Sequence, residues 1–146
     1  FAADAGSPEA QYALATFYKE GTGVEKNLYK SVRLLQAASL AGNVDAEVEY
    51  AIALFNGSGT QKNEAAAVSL LRKAARRNSA IAQNRLAHAL VEGMGVPMDK
   101  VEGLKWHIVA KTGGKGDLQL DAAMARATPE ERANAESAVR KWLGIK

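Results

Sequence analysis

The chain has 146 residues, with 19 Lys and Arg against 16 Asp and Glu, and a net charge of +3 is too small a surplus to demand a polyanionic partner. It contains no cysteine, which excludes disulfide frameworks, thiolate metal sites and cysteine nucleophiles, and fits cytosol and periplasm equally. No run of 18 or more apolar residues occurs and no basic start leads into an apolar core, so neither a membrane span nor a signal peptide is expected in these residues.

In chain order the first regularity is a Gly-x-Gly element at Gly21 and Gly23, repeated at Gly57 and Gly59 and at Gly93 and Gly95, a period of 36 residues. Ala10, Ala46 and Ala82 share that register, as do Ala15, Ala51 and Ala87, and Ala38, Ala74 and Ala110. So many columns in phase identify a repeat array, in which thin units bury their apolar faces by stacking on neighbours. Phe1 to Gly6 falls in the columns of Ala37 to Gly42, where a helix ends, so residues 1–6 are read as the end of a truncated upstream repeat. Repeats then follow over 7–42, 43–78 and 79–114, with a cap over 115–146, all in one solenoid domain.

Each repeat opens with a helix capped by Ser7, Asn43 or Ser79, whose side-chain oxygen can accept from first-turn N–H groups; Pro8 suits the first helical position because it needs no N–H partner. The helix carries Ala10, Leu14, Ala15 and Tyr18, then Ala46, Tyr50, Ala51 and Leu54, then Ala82, Leu86, Ala87 and Leu90, each set on one face. Gly21, Gly57 and Gly93 end it, at a left-handed position that a Cβ would strain. A second helix starts at Asn27, Asn63 or Asp99, with Asp99 and Glu102 in capping-box spacing. Its inner face holds Val32, Leu34, Leu35 and Ala38, then Val68, Leu70, Leu71 and Ala74, then Leu104, Trp106, Val109 and Ala110.

Beyond Gly113 and Gly114 the register fails, because Pro129 and Glu131 stand where the glycines would recur. A helix over about 118–125 is expected, followed by Thr128 as N-cap with Glu131 three residues on, and a helix bearing Ala135, Ala138, Val139, Trp142 and Leu143. Its polar face of Arg132, Glu136, Arg140 and Lys141 suits a terminal cap. The predicted class is therefore all-α, an α/α superhelical solenoid of helix-turn-helix repeats closed by a capping helix pair.

The unit AQYALATFYKEGTGVEKNLYKSVRLLQAAS resembles the Sel1-like repeat, a relative of the tetratricopeptide repeat, over about 1–114. The shared columns are the first-helix alanine, the Leu/Tyr-Ala pairs at Leu14 and Ala15, Tyr50 and Ala51, and Leu86 and Ala87, the Gly-x-Gly-Val element and the closing alanines. Departures are local: Thr60 replaces Val, Asn78 stands in the Gly6 and Gly42 column, and Gly103 replaces a small Ala-like residue. The resemblance implies a right-handed superhelix that acts as an adaptor for other proteins, often in bacterial signalling or at the envelope, and implies no catalytic centre.

By analogy with tetratricopeptide arrays, a groove would be lined by first-helix positions that do not pack between units. These are Glu9, Tyr12, Thr16 and Lys19; Asp45, Val48, Ile52, Phe55 and Asn56; and Ile81, Asn84, His88, Val91 and Glu92. Val48, Ile52 and Phe55 would form an apolar stripe with polar edges, suited to a peptide or partner helix. Tyr12, Ile52 and Phe55 would supply affinity, and Lys19, Asn56, Asn84 and His88 orientation.

Other signals carry less. His88 and His107 lack a second ligand at metal spacing, so no metal is expected. The Gly-x-Gly elements follow helices and lack the Gly-Lys-Ser/Thr of a phosphate loop. Arg72, Lys73, Arg76, Arg77 and Arg85 read as a solvated helix end, and without interleaved aromatics they do not argue for nucleic acid. No nucleophile stands beside a base and no carboxylates pair in an apolar pocket, so no enzyme and no cofactor are expected. The expected function is a non-catalytic scaffold holding a protein or peptide, as a monomeric fragment of a longer repeat protein. The alternative is a periplasmic cell-envelope regulator or glycan-associated factor, and the resemblance leans the compartment towards the bacterial periplasm over the cytoplasm.

Overall fold

The structure, a computed structural model, describes residues 7–145, so the expected end of an upstream repeat at 1–6 lies outside the described residues. Among the described residues there are eight α-helices and no strand: α1 (Pro8–Glu20), α2 (Leu28–Leu40), α3 (Val44–Asn56), α4 (Glu64–Arg76), α5 (Ala80–Glu92), α6 (Lys100–Thr112), α7 (Leu118–Arg126) and α8 (Pro129–Leu143). The all-α class with paired helices at a 36-residue period is thus present. The chain forms two compact units, Phe1–Leu70 and Leu71–Lys146, that divide within α4.

Every expected cap forms. Ser7, Asn43 and Ser79 accept from the N–H of Ala10, Ala46 and Ala82 at 3.3, 2.8 and 3.2 Å, and Asn27, Asn63 and Asp99 accept from Lys30, Ala66 and Glu102 at 3.1, 3.0 and 3.0 Å. The full capping box expected at Asp99 is corrected, because the Glu102 carboxylate accepts instead from Arg72 Nη1 at 2.6 Å. An arginine offers a charge-assisted bond that a backbone N–H does not match. At Thr128 both halves of the box are made. Asn78 occupies its column at φ 68°, beside Gly42 at 97° and Gly114 at 95°, since asparagine tolerates the left-handed region better than other side chains.

In the N-terminal unit, Ala15, Leu35, Ala38 and Ala46 form the buried cluster, with Tyr12, Leu34 and Tyr50 packed against it. Leu34 is only half-buried, so the inner face of α2 is narrower than expected. Ser31 Oγ donates to Ala15 O at 2.7 Å, a buried bond that ties α2 to α1. The second loop rests on the start of α2: a Cβ built on Gly59 would stand 2.5 Å from Leu28 O, and its φ is +73°.

In the C-terminal unit, Leu86, Leu90, Leu104, Trp106 and Leu120 are fully buried. A Cβ on Gly103 would meet Val91 Cγ2 at 2.7 Å, which explains glycine where Ser31 and Ala67 stand in the other repeats. Helix α8 packs on α6 through Ala135 and Val139 and through an edge-to-face pair of Trp106 and Trp142, centroids 4.9 Å apart. Leu143 is 54% exposed, a correction to the expected apolar stripe of α8, because the helix runs out against solvent there.

Candidate functional site

The α1–α3 face of the N-terminal unit carries the densest set of expected partner residues. The α1 surface brings Tyr12, Thr16 and Lys19 into one row, because residues four and three apart share a helix face. Lys19 Nζ reaches across to Glu49 Oε2 on α3 at 3.3 Å, with the two side chains 55% and 35% exposed. Around this ion pair lie two adjoining open hollows. One, of about 230 Å³, is lined by Tyr12, Thr16, Lys19, Glu20 and Glu49 with Ala15, Ser31 and Leu35 beneath. The other, of about 210 Å³, is lined by Lys19, Glu49, Ile52 and Asn56 with Leu28, Ser31, Val32, Leu35, Ala53 and Ser58.

The electrostatics of the first hollow are set by its carboxylates. Burial pushes the Tyr12 phenol above its ordinary pKa, and the negative charges of Glu49 and Asp45 push it further. Thr16 Oγ1 donates to Tyr12 O at 3.2 Å, which fixes the hydroxyl on its own helix. The hollows therefore present an apolar floor, one paired cation and surplus negative charge. That composition can hold an apolar side chain and a polar or cationic group of a peptide.

The remaining expected residues distribute differently. Val48 is 5% exposed and packs inside the protein, which corrects the expected apolar stripe: of its three members only Ile52 and Phe55 keep surface, and both are half-buried. Glu9, Asp45, Ile81 and Glu92 are exposed. Asn84, at 6% exposed, and His88 are engaged by the chain itself. Asn84 Nδ2 donates to Asp117 Oδ2 at 2.9 Å, and His88 Nε2 lies 2.7 Å from the same oxygen. Asp117 Oδ1 accepts from Leu120 N–H, so Asp117 is at once the N-cap of α7 and its anchor on α5. Burial raises the Asp117 pKa, but the bonds from Asn84, His88 and Leu120 and the His88 charge outweigh it and hold the carboxyl well below the usual range. Val91 lines a smaller hollow of about 110 Å³ with Lys100, Leu104, Ala123, Arg126, Ala127 and Glu131.

His107 Nε2 meets Asp121 Oδ1 at 2.8 Å, where Lys111 Nζ also arrives at 3.1 Å. Both histidines thus bind carboxylates of α7 or its cap. Among the described residues no group of three or more His, Cys, Asp or Glu could hold a metal ion, and no helix is long and apolar enough to cross a membrane. Glu49, Ser31 and Leu35 are site residues that sequence reasoning missed. A signal for Glu49 existed: Lys19 and Glu49 are 30 residues apart, as are Arg72 and Glu102, so opposite charges one repeat less six positions apart mark facing sites.

Comparison with known proteins agrees with this architecture. The Sel1 repeat model matches residues 8–43, 44–79 and 80–115. No curated protein matches the sequence. Solved structures similar in fold include the following two. A Sel1 repeat protein from Oxalobacter formigenes has a TM-score of 0.73 and 28% identity over 97% of this chain and 53% of that one. The protein c5321, a protective antigen present in uropathogenic Escherichia coli strains that displays an SLR fold, has a TM-score of 0.84 and 27% identity over 97% of this chain and 30% of that one. The chain therefore spans about half of the first and under a third of the second. Sel1 repeats are protein-interaction scaffolds, and with three of them in tandem over residues 8–115 this chain belongs to the Sel1 repeat family.

Proposed function

We propose that this chain is a non-catalytic adaptor that holds a peptide or protein segment on the α1–α3 face, in the two hollows joined by Lys19 and Glu49. The observation that carries this reading is that Tyr12, Thr16, Lys19, Ile52 and Asn56, expected in a groove by analogy with tetratricopeptide arrays, all line those hollows. Ile52 supplies apolar area at the second hollow, and the polar rim of Lys19, Asn56 and Glu49 orients a bound backbone or side chain. Phe55 extends the apolar surface along α3. Asn84 and His88 serve the chain's own Asp117, so in this proposal they stabilise α7 and do not face the partner.

The test is capture of binding proteins from the native cell by the chain and by Ile52→Asp, identified by mass spectrometry. Ile52 is half-buried, so helical circular dichroism and the thermal midpoint must be shown to hold in the variant; Asn56→Arg, at an exposed position, provides a second probe of the same hollow. Loss of the same proteins with both folded variants supports the site. Retention of every partner by both folded variants rules the site out.

A further inference from the structure

The two hollows on the α1–α3 face share Lys19, Ser31, Leu35 and Glu49, yet their chemistry differs. To that shared wall the first, of about 230 Å³, adds Tyr12, Thr16 and the Glu20 carboxylate. The second, of about 210 Å³, adds Leu28, Val32, Ile52 and Ala53, with Asn56 and Ser58, and so brings no further charge. The shared ion pair, Lys19 Nζ to Glu49 Oε2 at 3.3 Å, balances itself, which leaves the second hollow apolar and close to neutral.

In the first hollow the balance fails, because Lys19 offsets one carboxylate and Glu20 is left over. Asp45 adds to the same field: burial raises the Tyr12 phenol most, and the charges of Glu49 and Asp45 raise it further. An aromatic ring in a negative field favours a cation through its face and through its oxygen. Thr16 acts in the same direction, since its hydroxyl hydrogen goes to Tyr12 O at 3.2 Å and leaves its lone pairs for a donor. An acidic group entering here meets repulsion, and the one nearby cation is already paired.

We infer that the bound segment carries a Lys or Arg side chain that enters the first hollow and, within a few residues of it, an aliphatic side chain that enters the second. This deepens the adaptor reading and rests on it. The cation meets Glu20, Glu49 and the Tyr12 ring, while the aliphatic group covers Val32 and Ile52. One extended segment reaches both hollows, because alternate side chains on one side of it stand about 7 Å apart.

The test selects a phage-displayed random heptapeptide library on the intact chain. Enriched peptides are synthesised with the basic residue as found and with norleucine in its place, and are titrated calorimetrically into the wild type and into Glu20→Gln with Glu49→Gln. Chemical shifts of the Ile52 methyls and the Tyr12 ring locate the bound peptide. The enriched peptides are expected to pair a basic with an aliphatic residue and to shift both reporters. Norleucine should weaken binding to the wild type by roughly five-fold, the upper range of an exposed ion pair, and the double variant should remove most of that difference. Helical circular dichroism checks the double variant, and if it loses helicity Glu20→Gln alone, at an exposed position, carries the comparison. Peptides that shift only one reporter, that lack a basic or an aliphatic residue, or that keep the norleucine difference on the folded variant overturn the inference and leave the adaptor reading standing. Peptides that shift neither reporter, or a library that yields no binder, overturn both.

Discussion

His88 Nε2 lies 2.7 Å from Asp117 Oδ2, joining the middle of α5 to the residue that starts α7. One carboxylate thereby serves a helix cap, an amide and an imidazole. The acid is depressed, so its contribution to stability is fully present above the unfolded carboxyl pKa, about 3.9, and is lost as pH falls through the depressed folded value. Asp121, depressed by its hydrogen bonds to His107 and Lys111, acts in the same direction over the same acid range. Urea midpoints measured from pH 7 down to pH 2 should fall below about pH 4. In Asp117→Asn the fall should be shallower, and the neutral-pH stability should drop by about 1–2 kcal/mol through the weakened cap and anchor. An unchanged acid slope would show that Asp117 is not its source.

Gly23 and Gly59 share a column and nearly the same backbone angle, φ 71° and 73°, yet only Gly59 meets another element. Alanine at Gly23 should cost about 1 kcal/mol, the left-handed penalty alone. Alanine at Gly59 adds a clash with Leu28 O, which the α2 backbone must relieve by moving. Chemical denaturation should therefore rank Gly59→Ala as the more destabilising by at least about 1 kcal/mol. Equal losses would mean that the loop does not rest on α2.

The Lys19–Glu49 pair is solvent-exposed, so its removal should matter more for electrostatics than for stability. Glu49→Gln should change the unfolding free energy by no more than about 1 kcal/mol. It should also lower the Tyr12 titration towards the ordinary phenol value, because one of the two charges that raise it is gone while burial and Asp45 remain. NMR titration resolves Tyr12 from Tyr18, Tyr29 and Tyr50, and a Tyr12 midpoint that does not move would remove Glu49 from the hollow's field.

Trp142 closes the C-terminal unit from its far end, with its ring against Trp106 and Lys105 Nζ 5.3 Å from its centre. Burial pushes the Lys105 amine below its ordinary pKa, with the Arg72 and Arg76 charges acting the same way against Glu102. Trp142→Ala should destabilise by about 2–4 kcal/mol, the loss of a large aromatic and its pair. Trp142→Phe should recover about half. Trp106 fluorescence should shift to the red in the alanine variant as water reaches its ring, and a fluorescence maximum identical to wild type would contradict the packing.

Local chemistry was legible wherever it acts within a few residues. The caps at Ser7, Asn27, Asn43, Asn63, Ser79 and Asp99 and the box at Thr128 follow from side-chain oxygens three residues from an orphan N–H, and the alanines of the 36-residue columns are buried except Ala10, which is half-buried. The candidate site was legible only in part. Tyr12, Thr16 and Lys19 share one face of α1 and Ile52 and Asn56 one face of α3, so helical spacing groups each set, whereas the approach of Glu49 to Lys19 shows only in the 30-residue spacing between repeats and not within either helix. Val48 was misjudged because a helical stripe does not tell which of its edges the neighbouring helix covers.

By itself, the sequence determined the repeat, its period, the helix boundaries and the family, since glycine, proline and capping side chains act on the backbone beside them. Only the tertiary structure decided what each face does. Asn84 and His88 bind Asp117, Glu102 leaves its own helix for Arg72, and the flank of Leu14, Tyr18 and Leu34 stays half-open. Those outcomes depend on which polar groups and apolar surfaces are brought together from distant repeats, and the strongest available pairing wins over the local one.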